Sequence, residues 1–293
     1  MWKLLQIELF KIYKRPRTYI AFAAVMAIVV VVQIALKYDG KSYIDFMMSG
    51  LSDTFEFQNE KVLNGYLVCF IILNTLLIHV PLLVALIAAD EVAGEANMGT
   101  LRLLMSKPIS RTQLILVKFA ASVIYVILLL LWMAILALGM SILIFGTNDM
   151  VVLRSNSFHQ MQADDVLWRY FLAFAYATVA MSTVAALALF LSVFAENAVG
   201  PIVATISIVI VLTILSEMNI PLYDKTVKPY LFTSHMVAWK GFFYVKSTEE
   251  GETIKGSIEN LPAIGRSFSI LVIYMMLFVG TTIVSFRKKD ILS

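Results

Sequence analysis

Six long apolar runs constrain this chain more than any other feature. They lie at about Tyr19–Leu36, Gly65–Ala89, Leu114–Phe145, Trp168–Phe194, Val199–Leu215 and Phe268–Phe286. A helix needs about 20 apolar residues to cross the roughly 30 Å of hydrocarbon in a bilayer. None of the runs alternates polar and apolar residues as a membrane β-strand does, so helices must satisfy the backbone within lipid. Composition agrees: 60% of the 293 residues are hydrophobic and 15% are charged, against about 25% charged in a soluble domain. The expected fold class is an all-α integral membrane protein, a six-transmembrane-helix bundle in which residues 1–293 form a single transmembrane domain. The third run, 32 residues if wholly helical, would be about 48 Å long and must tilt or project into water.

The first run reads as a span rather than a signal peptide. Its 18 apolar residues exceed a typical signal h-region, and Ile34-Ala35-Leu36-Lys37 offers no small-x-small cleavage site. The single cysteine, Cys69, lies within the second run, which excludes an intrachain disulfide and a cysteine metal cluster. An even number of spans puts both termini on one side. That side carries net charge +6, including Lys3, Lys11, Lys14, Arg15, Arg17, Arg102, Lys107, Arg111 and Lys118, and the opposite side carries −3. Six of the opposite basic residues fall in the long connection 216–267, where charge counts for less. Both termini are expected in the cytoplasm of a multi-pass cell-membrane protein.

Between the second and third runs lies a basic segment, Gly99–Lys118. Leu101, Leu104 and Met105 recur at helical spacing, with Arg102, Ser106 and Lys107 at the other positions, which predicts a short interfacial helix. Lys107-Pro108 ends it. Ser110 and Gln113 form an S-x-x-Q capping box that starts the third long helix. Two readings are open, a basic loop resting on the bilayer surface or a rigid lever joining two spans. Ahead of the first run, residues 1–17 contain an amphipathic helix with Trp2, Leu5, Leu9 and Ile12 on one face, expected to lie in the inner interface.

Catalytic signatures are missing from the sequence. It has no G-x-x-x-x-G-K-[ST], G-x-S-x-G or H-E-x-x-H motif, and His79, His159 and His235 are scattered. Intramembrane polar groups are costly unless partnered, which singles out Asn74 and His79 in the second run. Five positions apart, they are offset by about 140° and cannot share a face. They are candidate conduit-lining residues; the competing reading has each hydrogen-bonded to a neighbouring helix. Pro81 predicts a kink.

Ala195–Pro201 reads as a tight helical hairpin with Gly200-Pro201 opening the fifth helix. Pro229–Val245 is aromatic-rich, with Trp239, Phe242, Phe243 and Tyr244 suited to an interfacial belt. The segments 37–64 and 247–257 read as solvated, carrying Asp39, Asp45, Asp53, Glu56, Glu60, Glu249, Glu250 and Glu252 without regular cation-ligand spacing.

The run Gly94-Glu95-Ala96-Asn97-Met98-Gly99-Thr100-Leu101-Arg102-Leu103-Leu104, followed by Pro108-Ile109-Ser110-Arg111 and Lys118, resembles the GE-x(3)-GTL-x-x-LL…P-[IV]-SR…K signature of ABC-2-type transporter permeases. It is most similar to the branch associated with copper-enzyme maturation and bacitracin or lantibiotic resistance. The resemblance implies the architecture of a type V ABC exporter: an N-terminal connecting helix, a coupling loop over residues 90–113 and re-entrant helices within 217–266. It further implies that Glu95, Gly99, Thr100, Leu101, Leu104, Pro108, Ser110 and Arg111 couple to a separate ABC ATPase subunit, present in two copies, which would bind ATP and Mg. This chain would hold no cofactor and bind no nucleic acid. It would work with a second permease copy or a paralogue, among membrane lipids, in the bacterial cytoplasmic (inner) membrane. The rival expectation is a membrane scaffold or secondary transporter that needs no ATP; a secondary carrier should show an intramembrane ion pair or paired broken helices.

Overall fold

The computed structural model describes residues 1–48, 63–106, 108–154, 157–218, 223, 226–246 and 253–289. The chain is mostly helical. α1 (Trp2–Lys14) is followed, after Arg15 alone, by α2 (Pro16–Met48), which Pro16 opens and a non-helical Asp39 (φ −128°, ψ 21°) interrupts. α3 (Gly65–Ala88) leads into two short helices, α4 (Asp90–Asn97) and α5 (Thr100–Met105). α6 (Arg111–Ala134) runs through a π-helical segment, Ile135–Met140, into α7 (Ser141–Phe145). The long third run is therefore one rod interrupted near its far end. Gln33 of α2 reads that interruption: its amide donates to the Leu136 carbonyl (3.0 Å) and to Ser141 Oγ (2.9 Å).

A hairpin of β1 (Met150–Arg154) and β2 (Ser157–Met161) then pairs Met150 with Met161, a small departure from the helical expectation. α8 (Leu167–Ser192) and α9 (Val199–Glu217) come next. They are followed by α10 (Phe232–Met236), the 3-10 segment Val237–Phe243 and α11 (Leu261–Lys288). Among the described residues, five helical stretches are long and apolar enough to cross a membrane: Pro16–Ile44, Arg111–Phe145, Ala163–Ser192, Val199–Glu217 and Leu261–Lys288. The bent pair Gly65–Leu76 and His79–Ala88, inclined by 53°, makes a sixth if counted as one span. Pro81, with no N–H to give to the turn before it, lies in the second arm of that bend.

α8 runs through the middle of the bundle, which explains why Ala180 and the run Val184–Leu189 are buried. The aromatic-rich segment before α11 packs inward rather than spreading into a belt. Trp239, Phe242 and Phe243 are buried, and Phe243 meets the rings of Tyr170 (4.7 Å) and Phe70 (5.3 Å). A fully buried Arg169 fastens this end. Its guanidinium pairs with Asp165 (2.7 Å) and donates to the carbonyls of Phe242 (2.6 Å) and Ser257 (2.8 Å). The acidic positions Asp53, Glu56, Glu60, Glu249, Glu250 and Glu252 lie outside the described residues.

Gly65 illustrates how closely two helices approach here. A Cβ at this position would sit 2.6–2.7 Å from backbone atoms of Ile142 and Ser141. We expect Gly65→Ala to force α3 and α7 apart and to destabilise the protein by about 1–3 kcal/mol, read as a lowered melting temperature in detergent.

Candidate functional site

One end of the bundle gathers α1, the start of α2, the end of α3, α4, α5, the start of α6, the end of α8 and the end of α11. The chain leaves α3 at Ala88 and turns through α4 and α5 before entering α6 at Arg111, so these two short helices form an elbow. Ala89, the N-cap of α4, has no polar side-chain atom to cap it. α8 supplies the cap: Ser192 Oγ accepts from the amides of Val92 (3.2 Å) and Ala93 (2.8 Å) and donates to the Ala89 carbonyl (2.7 Å). At the corner Gly99 adopts φ 70°, a left-handed angle that glycine takes without steric cost, and this redirects the chain into α5. Leu101 then packs, buried, in a satellite core with Val92, Leu114, Ile115, Leu189, Val193 and Phe286.

Beneath the elbow lies a cluster of buried ions. Lys118 of α6, fully buried, places its ammonium 2.8 Å from Glu8 of α1 and 3.0 Å and 3.7 Å from Glu95 and Glu91 of α4. Lys11 of α1, partly exposed, bridges Glu8 (2.8 Å) and Glu95 (2.7 Å) from outside. At the rim, Asp90 pairs with Arg15 and with Arg17 (3.1 Å). Moving an ion out of water costs several kcal/mol, so Glu8, Glu91, Glu95 and Lys118 can stay inside only by compensating one another. The consequence is mechanical: α1, α4 and α6 cannot separate without exposing unpaired charges.

The carboxylates are not equivalent. Burial would raise Glu95, but the ammoniums of Lys118 and Lys11 outweigh it and hold this carboxyl below the usual range. Burial also raises Glu91; Lys118 pulls it back, Glu8 and Glu95 push it up again, and it ends at about 7.

The expected coupling residues separate into three groups. Glu95 belongs to the ion cluster, and the Thr100 hydroxyl donates to its carbonyl (3.3 Å). Leu101 is buried, Leu104 half-buried and Gly99 sets the corner, so these shape the elbow. Pro108 is exposed. Ser110 accepts from the Gln113 amide (3.1 Å), the N-cap expected from the sequence. The Arg111 guanidinium caps the end of α11, donating to the carbonyls of Phe286 (3.2 Å), Arg287 (2.9 Å) and Lys289 (2.7 Å).

Asn74 and His79 lie apart from this site. Each bonds its own helix, Asn74 Nδ2 to the Phe70 carbonyl and His79 Nδ1 to the Thr75 carbonyl, both at 2.9 Å. Neither lines the apolar cavity of about 40 Å³ between α3, α6 and α8, whose wall includes Leu73, Leu76, Met133, Met181 and Trp239.

On α1, Leu5, Leu9 and Ile12, expected to face the inner interface, pack against the bundle instead, whereas Trp2 is 69% exposed. The groups that sequence reasoning missed are Glu8, Glu91 and Ser192. Glu8 falls between Leu5, Leu9 and Ile12 on the apolar face, which was the visible signal.

Fold and site define a multi-pass helical membrane protein with a charged, internally locked elbow at one end of its bundle. Residues 17–292 match a family model described as Protein of unknown function (DUF2705), and the chain belongs to that family. No curated protein matches it.

Removing the central cation should be severe. Lys118→Met would leave three carboxylates facing one partly exposed lysine, and we expect a loss of about 3–5 kcal/mol, measured as reduced folded yield and melting temperature. Lys11→Met, at the open edge of the cluster, should cost clearly less in the same assay.

Proposed function

We propose that this protein is the membrane-spanning subunit of an ATP-binding-cassette exporter, paired with a second copy or a paralogue and driven by two copies of a separate ATPase. The elbow carries this reading. A passive connection between two spans needs no buried ion cluster, no cap borrowed from a third helix and no satellite core, whereas a lever that transmits force must be stiff at its base. The residues that resemble the ABC-2 signature, Gly94 to Arg111 with Lys118, fall on this elbow and its seat. Charge supports the cytoplasmic placement of the same end, because the basic residues of α1, α5 and the start of α6 all gather there.

The elbow also presents a surface that a partner could grip. Met98 and Leu103 are 58% and 70% exposed, and with Phe10, Lys14 and Leu104 they border a groove of about 460 Å³ between α1 and α5. In this reading, nucleotide-driven closure of the ATPase pair pushes on α5. The rigid base passes the push to α3 and α6, and the bundle shifts between two arrangements. The transported molecule would pass between the two membrane subunits.

Leu103 gives the sharpest test because it projects into solvent and its replacement should leave the fold intact. The chain would be co-expressed with each candidate ABC ATPase of its own genome and purified in detergent. We expect one ATPase to co-purify with the native chain and at least about a tenfold loss of it with Leu103→Glu, equivalent to roughly 1.4 kcal/mol of binding. Failure of every candidate to bind the folded native chain would refute the exporter reading.

A further inference from the structure

Glu8, Glu91 and Glu95 share the two ammoniums of Lys118 and Lys11, while Asp90 holds the guanidiniums of Arg15 and Arg17 at the rim. Glu8 and Glu95 each contact Lys118 at 3.0 Å or less and share Lys11 as well, which makes two carboxylates for two cations. Glu91 has one ion pair, the long 3.7 Å contact to the same Lys118. It is nonetheless 3% exposed, on the first turn of α4, against α6 and α1.

We propose that Glu91 is the proton-binding residue of a pH-responsive latch, which seats α4 against α1 and α6 when protonated and loosens it when the proton leaves. The groups facing it are those already placed. α1 contributes Glu8 and Lys11, and the turn into α2 contributes Arg15, with Arg17 behind it on Asp90. α4 itself contributes Asp90 and Glu95, and α6 contributes Lys118. Of the other described elements packed on α4, α8 adds the uncharged Ser192 hydroxyl to the neighbouring backbone, α5 carries Arg102, and α9 has no ionisable side chain before Glu217 at its far end.

With Glu91 neutral, Lys118 is free to hold Glu8 and Glu95 at close range. With Glu91 ionised, a third negative charge stands in a site that excludes water. Lys118 must then be shared three ways, and the lowest-cost relief is for α4 to lift and admit solvent. Because α4 carries the corner at Gly99 and hence α5, the stiffness of the whole elbow becomes a function of pH on this side of the membrane. The midpoint near 7 given by the surroundings of Glu91 puts the transition in the range that cells experience. The latch is a property of the chain alone and does not depend on the ATPase reading.

The sign is fixed by linkage. The folded state binds this proton more tightly than the unfolded chain does, so the stability contributed by protonated Glu91 is present at low pH. It is lost as pH rises from the ordinary carboxylate range through about 7. Glu95, lowered instead, acts only in acid, below the ordinary carboxylate range.

The test is amide hydrogen exchange of the full chain in detergent from about pH 5.5 to about pH 8.5, with rates corrected for intrinsic exchange. We expect protection over α4 and the Gly99 corner to fall about tenfold with rising pH in the native chain, and to stay flat in Glu91→Gln. A flat profile in the native chain, or an equal fall in both proteins, would overturn the proposal. Should Glu91→Gln fail to fold, infrared spectra of the native chain decide. A C=O stretch from a buried protonated carboxyl, present at about pH 6 and gone by about pH 8.5, supports the latch; its absence at the lower pH overturns it.

Discussion

A single ammonium group, that of Lys118, holds the functional end of this bundle together. Three glutamates from two other helices converge on it, and all four residues are at most 3% exposed. No pairwise ion contact at a protein surface would have comparable consequences, because surface pairs contribute about 0–1 kcal/mol and exchange freely with water. Inside, the Lys118 ammonium is committed, since removing it strands the carboxylates that converge on it. The location of α1, the seat of α4 and the direction in which α5 projects all follow from that commitment.

The opposite end is built on the same chemistry with a different cation. Arg169, whose planar guanidinium offers several donors, joins α8 to Asp165 and to two backbone carbonyls on separate segments. The two ends nevertheless serve different purposes. Arg169 satisfies a neutral pair plus backbone oxygens and acts as a fastener. Lys118 is shared among three carboxylates, of which Glu91 makes the longest contact. Between them the bundle is mainly apolar, with the bend near Pro81 and the π segment Ile135–Met140 among its backbone irregularities. These lie on α3 and on the α6–α7 rod, the two rods that the elbow connects.

The long helices were legible because hydrophobic runs of this length permit little else in lipid, and the Ser110 cap and the Pro81 kink followed from local chemistry. The elbow was legible as a short helix, which ends at Met105; Lys107, half of the expected Lys107-Pro108 stop, lies outside the described residues. What escaped was the partnership. Glu8 and Lys118 read naturally as interfacial charges, and only the packing of α1 across α6 shows that they face each other from apolar helix faces. Glu95 was noticed for its place in a motif, yet its side chain points inward to Lys118 and Lys11. Arg169 falls at the start of the run Trp168–Phe194 and drew no reading from the sequence. Its partners lie up to 88 residues away, a separation that periodicity cannot bridge. The aromatic segment 229–245 misled in the opposite sense, since a cluster of rings is equally suited to lipid or to protein, and here Trp239 and Phe243 chose the core.

A stiff elbow is fixed to an amphipathic helix at the basic end of a multi-pass bundle. All of it rests on α1 and α6 being joined through charge rather than merely adjacent. The direct measurement is a double-mutant cycle between Glu8→Gln and Lys118→Met, with unfolding followed in detergent. A coupling energy above about 2 kcal/mol is the expected result. Additive effects, within about 0.5 kcal/mol, would show that the two side chains are neighbours without being partners and would remove the foundation of the elbow.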